Sequence, residues 1–449
     1  MSKFISRLIA ASTVSIGLIS YAQAAQQNTL NFSHALELAV NNDQDLQSSE
    51  FQYQSILATR GQSKSALLPQ LTFQLYTSRS EQETENSSNT AFTPNSTISF
   101  NTDGYSLNLN QTIYNHRLYK QLQKTDLTIA SATATVEAAR QDLIVRLATA
   151  YFNVLGAQDS LKFASAEKEA ISKQLEQSKK RFEVGLIAIT DVKEAQASYD
   201  TSVAQEIDSQ NALSAQLEAL AVILGTYNNK ITPMKDDIPL TIPQPADIQQ
   251  WTDSALQNNL ALKAASYNFQ ATQKQVDSDF SDHYPSLDLR AQQSYTSPEG
   301  GRFITSDTTD TTITLQLTVP IFSGGLTNAK HNQSIALKEQ SRALKEKAQR
   351  QTLQQTRDAY LGVTSTIAQV KAFKQALLST QAAYDATQAG FEVGTRTAID
   401  VLTTLREVYR AERDHARARY NYVINTLRLK QAAGTLTIND AQSINSFLQ

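Results

Sequence analysis

The residues able to do chemistry are few and badly spaced for it. Five histidines, His34, His116, His283, His331 and His415, are scattered without metal-ligand spacing and without a nucleophile motif beside them. The chain has no cysteine, which removes disulfides and thiolate metal sites. Gly324-Gly325 follows an alternating segment but lacks the phosphate-loop pattern. No catalytic residue, metal site or cofactor is therefore expected. What does recur is a pattern of glycines and carboxylates. Phe182-Glu183-Val184-Gly185 returns as Phe391-Glu392-Val393-Gly394, and Asp191-Val192 returns as Asp400-Val401, both at an offset of 209 (391 − 182, 400 − 191). Glycine suits a helix C-terminus because it accepts the left-handed conformation. An aspartate just beyond suits the start of the next helix, where it caps free N–H groups and meets the positive end of the dipole. On the residues alone, Gly185 and Gly394 turn the chain, and Asp191 and Asp400 cap helices.

The elements that must hold these residues come in two copies. Ala39-Val40-Asn41-Asn42 matches Ala255-Leu256-Gln257-Asn258, and Pro69-Gln70-Leu71 matches Pro285-Ser286-Leu287, both at an offset of 216 (255 − 39, 285 − 69). Gly225 recurs as Gly434 at the offset of 209. The matches describe a tandem duplication of roughly 200 residues per copy. We read residues 25–232 as the first repeat, 233–246 as a proline-rich linker, 247–434 as the second repeat and 435–449 as a C-terminal segment. Each repeat opens with a helical stretch (33–66 and 247–282). Asp247 and Gln250 form a capping-box pattern at the second of these. Two alternating segments follow in each copy, then a very long helical stretch up to Val-Gly, then a shorter one.

The prolines fall at segment starts (Pro69, Pro285), in loops (Pro94, Pro298), at a strand end (Pro320) and in the linker (Pro233, Pro239, Pro243, Pro245). None interrupts a long helix, where it would cost about 3 kcal/mol. Leu122, Ile129, Val136, Leu143, Ala150, Ala157, Ala164 and Ile171 recur every seven residues, with Leu147, Val154, Leu161, Leu175 and Phe182 as a second stripe. Val363, Val370, Leu377, Tyr384 and Phe391 keep the spacing in the second copy. Such a repeat packs helices into a left-handed supercoil. Roughly 70 residues make a rod about 100 Å long. Periodicity alone is equally that of a coiled-coil spacer.

The alternating segments, expected over 69–80, 99–114, 285–295 and 310–322, point elsewhere. Leu71, Phe73 and Leu75 alternate with Thr72, Gln74 and Tyr76, and Ile313, Leu315, Leu317 and Val319 alternate with Thr312, Thr314, Gln316 and Thr318. Strands of about 8–11 residues with one apolar and one polar face have the form of a transmembrane barrel wall. A soluble sandwich has the same alternation. The polar loops expected at 80–95 and 296–309 fit solvent-facing tips. Four strands cannot close a barrel, which needs about eight, so membrane-spanning strands require several copies of the chain. Two copies or three would serve. At the N-terminus, Lys3 and Arg7, an apolar run over 8–19 and Ala22-Gln23-Ala24 read as a cleaved secretory signal over 1–24. No later run is long and apolar enough for a spanning helix. A formal net charge of −3 offers no reason to expect nucleic acid.

Longer stretches carry a resemblance. Ala148-Thr-Ala-Tyr-Phe-Asn-Val-Leu155, Arg181-Phe-Glu-Val-Gly-Leu-Ile-Ala-Ile-Thr-Asp-Val192, Val319-Pro-Ile-Phe-Ser-Gly-Gly325, Val393-Gly-Thr-Arg-Thr-Ala-Ile-Asp-Val-Leu402 and Ala418-Arg-Tyr-Asn-Tyr-Val-Ile-Asn425 resemble the TolC family of outer-membrane efflux and secretion channels, the outer membrane factors. The resemblance covers almost the whole mature length. It implies a membrane α+β fold, a trimeric channel-tunnel with a 12-stranded β-barrel built from four strands per protomer. A long periplasmic α-helical coiled-coil barrel would continue it, with a small mixed α/β equatorial region formed by the linker and the C-terminal segment. It implies an exit duct in the outer membrane of a Gram-negative bacterium, for efflux of small toxic compounds or type I protein secretion. Its partners would be a periplasmic adaptor, an inner-membrane transporter and outer-membrane lipid. Val184-Gly185-Leu186 and Val393-Gly394-Thr395 match the tips to which the adaptor docks. Thr190, Asp191, Arg396 and Asp400 match the gate. Arg396 would bond Thr190 and Asp191, and Asp400 would form an acidic ring. Two positions depart from the pattern. Phe391 stands where the family's best-known member has a tyrosine that hydrogen-bonds the coil bearing Asp191, and Thr403 replaces a second inward aspartate. A looser, less acidic entrance follows from both. The reading from another class is a soluble periplasmic coiled-coil spacer or adaptor.

Overall fold

The computed structural model describes residues 29–84, 96–300 and 306–449. The expected signal, and residues 85–95 and 301–305 of the expected polar loops, lie outside the described residues. The element order runs twice. The first run is α1 (Phe32–Asn42), α2 (Gln44–Ser65), β1 (Gln70–Thr84), β2 (Ser96–Tyr114), α3 (His116–Glu183) and α4 (Ile189–Leu224). The second is α5 (Ile248–Asn258), α6 (Leu260–Phe280), β3 (Ser286–Glu299), β4 (Thr308–Thr318), α7 (Leu326–Glu392) and α8 (Ala398–Ala432), followed by the short α9 (Ile438–Ser443). The 68 residues of α3 and the 67 of α7 correspond to rods of about 100 Å.

The four strands form one antiparallel sheet in the order β1-β2-β3-β4, leaving β1 and β4 as open edges among the described residues. Register places Leu71, Phe73 and Leu75 with Leu109, Leu107 and Tyr105, and Leu287, Leu289 and Ala291 with Leu317, Leu315 and Ile313. All of these side chains share one face. Thr72, Gln74, Asn108, Gln292, Thr312 and Thr314 share the other. The apolar face is bare: Phe73, Leu75, Leu315 and Leu317 are exposed and Ile313 is 73% exposed. Gln111, the polar exception on that face, lies at the helix end of the sheet, where its Nε2 donates to Leu67 O (2.9 Å) and Thr112 O (2.6 Å).

The strand limits differ from those expected. Pairing continues beyond the hydrophobic alternation into the Ser/Thr-rich flanks, so β1, β2 and β3 reach 15, 19 and 14 residues and enter the expected loops. Pro298 accordingly lies in β3 and not in a loop. It sits past the last β3–β4 pair, Thr296–Thr308, where one side of β3 has no strand neighbour among the described residues that needs an N–H. β4 stops at Thr318 and not at residue 322, just short of Pro320, which has no N–H to donate.

Each opening helical stretch is also two helices. Asp43 ends α1 and caps α2, its carboxylate accepting from Leu46 N–H (2.8 Å), and Asn259 does the same between α5 and α6 through Leu262 N–H (3.0 Å). At the start of α5, Asp247 accepts from Gln249 N–H (2.9 Å), two residues on, in place of the expected box with Gln250. The breaks dock on the ends of the shorter coils. Asn42 Nδ2 donates to Leu224 O (2.9 Å) and Asn259 Nδ2 to Ala432 O (3.0 Å). Gly434, at φ +70°, makes this approach possible: a Cβ there would lie 2.3 Å from Asn258 O.

At the first break Arg146 of α3 grips Asp43 with both arms (2.9 and 3.0 Å), and Asp43 is only 3% exposed. At the second, Asn259 and Gln355 line a cavity of about 530 Å³ with Asp358 and Arg428. The core lies at mid-length of α3 and in the C-terminal half of α8. Leu30, Phe32, Tyr151, Phe152, Ile231, Met234, Ile444 and Leu448 pack there in one cluster. Leu30 bridges Ile231 and Met234 bridges Leu448, so the linker and the C-terminal segment meet in this region. Tyr151 Oη lies within hydrogen-bond reach of Leu30 O (2.9 Å) and Thr232 O (3.1 Å), holding the two strand pieces to α3. The heptad positions behave as their spacing predicts along most of the length. Val136, Leu143, Leu147, Val154, Ala164, Ile171, Val363 and Val370 are buried, whereas Phe182 is exposed.

Candidate functional site

The long helices end in two matching turns. Gly185 (φ +72°) and Gly394 (φ +79°) take the left-handed conformation, and neither would have a neighbour within 4 Å of an added Cβ. They are glycines for their backbone angle, not for want of space. Around them Leu186 N–H donates to Arg181 O (2.9 Å) and Gly185 N–H to Phe182 O (2.9 Å). Thr395 N–H donates to Gly390 O (2.9 Å) and Gly394 N–H to Phe391 O (3.2 Å). These bonds satisfy the last carbonyls of each helix. The turns present apolar side chains to solvent: Val184 is 69%, Leu186 73% and Val393 76% exposed.

The aspartates sit three residues after the cap position rather than on it. Asp400 Oδ2 accepts from Thr397 N–H (2.9 Å), while Thr397 Oγ1 accepts from Asp400 N–H (3.3 Å), a reciprocal capping box. Asp191 Oδ2 accepts from Ala188 N–H (3.3 Å), but Ala188 has no hydroxyl to complete the pair. The Thr397 N–H and hydroxyl, with Arg396 nearby, hold the Asp400 carboxyl below the usual carboxylate range. Thr190 and Thr403 are exposed, and the Thr403 hydroxyl donates back to Ile399 O (2.8 Å). The stem of Arg396 lies over Gly390, where an added Cβ would come within 2.8 Å of Arg396 Cγ. Among the described residues, no hydrogen bond or ion pair joins Arg396 to Thr190 or Asp191 within the chain.

The two hairpins, α3–α4 and α7–α8, are tied by residues that motif reading passes over. Tyr420 Oη donates to Asp159 (2.5 Å), and Glu167 lies between Arg406 (3.6 Å) and Arg413 (3.9 Å). Burial raises the Glu167 carboxyl, against the pull of both arginines. At the tip, Phe391 is 5% exposed and the Arg181 guanidinium lies 4.3 Å from its ring centre. In the sequence Arg181 looks only like a basic residue in a last helical turn.

Among the described residues, no group of His, Cys, Asp or Glu could hold a metal ion, and no helix is long and apolar enough to cross a membrane. What the arrangement offers is a sheet with one wet and one oily face at one end of the rods and two apolar turns at the other.

The chain matches the outer membrane efflux protein family over residues 35–226 and again over 251–435. It is 33% identical over 443 residues to the outer membrane protein TolC of Vibrio cholerae, covering 97% of each chain. It is 25% identical to the proteases secretion protein PrtF of Dickeya chrysanthemi, covering 92% of this chain and 90% of that one. Its fold follows that of the Campylobacter jejuni CmeC outer membrane channel, with a TM-score of 0.77 at 18% identity over 94% of this chain and 91% of that one. Channels of this family are trimers that work with secretion and efflux partner systems. With both halves matched, the chain belongs to the outer membrane efflux protein family: it is an outer-membrane channel protomer, neither a soluble spacer nor an enzyme.

Proposed function

We propose that three copies of this chain close their open sheet edges into a twelve-stranded pore that continues into a helical duct, gated at the tips of the long helices. The observation that carries this reading is the divided sheet. A bare apolar face on a sheet with two unpaired edges is stable only if lipid covers the face and neighbouring strands cover the edges. The polar face then lines a wet lumen.

The relatives' names, with efflux and protease secretion among them, support a duct for either process, and the cargo we propose is small toxic compounds for efflux or proteins for type I secretion. Selection between them belongs to the inner-membrane transporter. The exposed Val184-Gly185-Leu186 and Val393-Gly394-Thr395 turns are the docking points for a periplasmic adaptor, which their apolar side chains and uncrowded glycines support. Thr190, Asp191, Arg396 and Asp400 form the gate between protomers, with Phe391 and Thr403 beside it. Arg396 has no partner among Thr190 and Asp191 of its own chain, which leaves its guanidinium free to reach a neighbouring coil. Asp400 contributes one carboxylate per protomer to a cation-favouring ring.

Arg396→Ser tests the gate. The trimer reconstituted in planar bilayers should show raised conductance, and unchanged conductance would remove Arg396 from the gate.

A further inference from the structure

Closing a duct at its tips requires something to hold one hairpin tip against the other, and the chain has such a contact, made on Phe391 by an arginine not assigned to the gate. The hairpins are linked at Asp159–Tyr420, then at Glu167 between Arg406 and Arg413, and finally at Arg181–Phe391. Among the described residues, no side-chain hydrogen bond, ion pair or ring contact joins the two hairpins closer to the turns than this last one.

We infer that Arg181 is a further gate residue: its guanidinium, seated on the buried Phe391 ring, clasps the α7–α8 tip to the α3–α4 tip in the resting channel. The inference rests on the proposed gate lying at these tips. A cation within about 6 Å of an aromatic face is attracted by the ring's quadrupole, more strongly where water is excluded. Here the separation is 4.3 Å and Phe391 is 5% exposed. Arginine suits the role better than lysine, since its planar, weakly hydrated group can lie flat on a ring. The position in the last turn of α3 adds the favourable negative end of that helix.

Both members of the clasp are bonded directly to the turns. The Arg181 carbonyl accepts from Leu186 N–H and the Phe391 carbonyl from Gly394 N–H. Leu186 and Gly394 belong to the exposed turns proposed to receive the adaptor. A partner that rotates either turn therefore moves the backbone of a clasp residue directly, with no intervening element. This contact supplies a way for docking at the apolar tips to release the closure. It also gives Phe391 a closing role that needs no hydroxyl.

The test uses the full-length channel in planar bilayers, at low salt and at about 1 M KCl, where the Debye length falls to about 3 Å and exposed ion pairs are screened. Phe391→Leu keeps an apolar side chain and removes the ring, Arg181→Gln removes the charge, and Phe391→Trp keeps an aromatic face. Heat-sensitive trimers are verified for each variant. Phe391→Leu and Arg181→Gln should each shift the open-to-closed ratio by about fivefold per protomer, at both salt concentrations, with Phe391→Trp remaining closed. The inference is overturned if Phe391→Leu and Arg181→Gln gate like the parent while Arg396→Ser opens. It is also overturned if Phe391→Trp opens as far as Phe391→Leu, since packing alone would then explain the contact. If Arg396→Ser and both clasp variants all stay closed, the gate reading itself fails.

Discussion

The duplicated chain contains its own control for one buried ion pair. Asp43 and Asn259 occupy matching breaks at the offset of 216 (259 − 43), and Arg146 and Gln355 match at 209 (355 − 146). The first repeat solves the junction with a charged pair and the second with two amides beside a cavity. Arg146→Gln would leave a 3% exposed carboxylate with Leu46 N–H but no cation. Breaking a buried pair costs about 3–5 kcal/mol, and because the Arg146 side chain is 30% exposed we expect about 2–3 kcal/mol here. Asp43→Asn keeps the helix cap and leaves Arg146 with Asp45 and Asp142, so about 1 kcal/mol is expected. The double variant recreates the amide chemistry of the second repeat and should cost about 1–2 kcal/mol, less than the singles combined. Unfolding followed by circular dichroism in detergent at a fixed scan rate reads all three. A double variant that equals the sum of the singles to within about 0.5 kcal/mol would refute the pairing argument.

Acid adds a second readout for the same pair. Burial raises the Asp43 carboxyl, but its bonds from Arg146 and Leu46 N–H outweigh this and leave it below its ordinary value. A carboxyl lowered on folding stabilises fully above its unfolded pKa of about 3.9 and loses that contribution as pH falls through the folded value. Asp43→Asn should therefore flatten this part of the acid-side loss of stability. An identical acid slope in parent and variant would contradict it.

Other substitutions test separate parts of the fold. Gly434→Ala places a Cβ 2.3 Å from Asn258 O at a φ of +70°, and should destabilise the trimer by more than the roughly 1 kcal/mol of left-handed strain alone, read as earlier melting. Ile313→Lys puts a charge on the apolar face and should cost about 2–4 kcal/mol near the midplane, depleting the protein from outer-membrane fractions. Its neighbour Thr314→Lys points to the polar face and should insert normally while changing ion selectivity in bilayers. Tyr151→Phe removes the hydroxyl shared by Leu30 O and Thr232 O, and should cost about 1–2 kcal/mol, with faster hydrogen exchange at the Leu30–Ile231 bridge.

Features written within a few residues were readable from the chain alone. The stripes along α3 and α7, the alternation of the strands, the two glycine turns and the matched offsets all follow from local periods and local backbone preference. Even there, the ends slipped. Strand pairing ran on through polar flanks because a ladder needs a neighbouring backbone, not a hydrophobic side chain. The aspartates proved to cap from the third helical position, since Thr397 and Ala188 take the cap position itself.

The breaks at Asp43 and Asn259 were invisible to periodicity, because the sequence on either side remains helical. Only docking against the ends of α4 and α8, nearly two hundred residues away, gives each break a function. Arg181 is the clearest case at the site. The sequence by itself determined that two long rods end in two glycine turns and that an arginine stands one turn before the first. Whether that arginine meets water, a carboxylate or a ring depends on which faces of the two hairpins come together. That choice is made by side chains distributed along the whole length of the rods, and it is decided only when they pack.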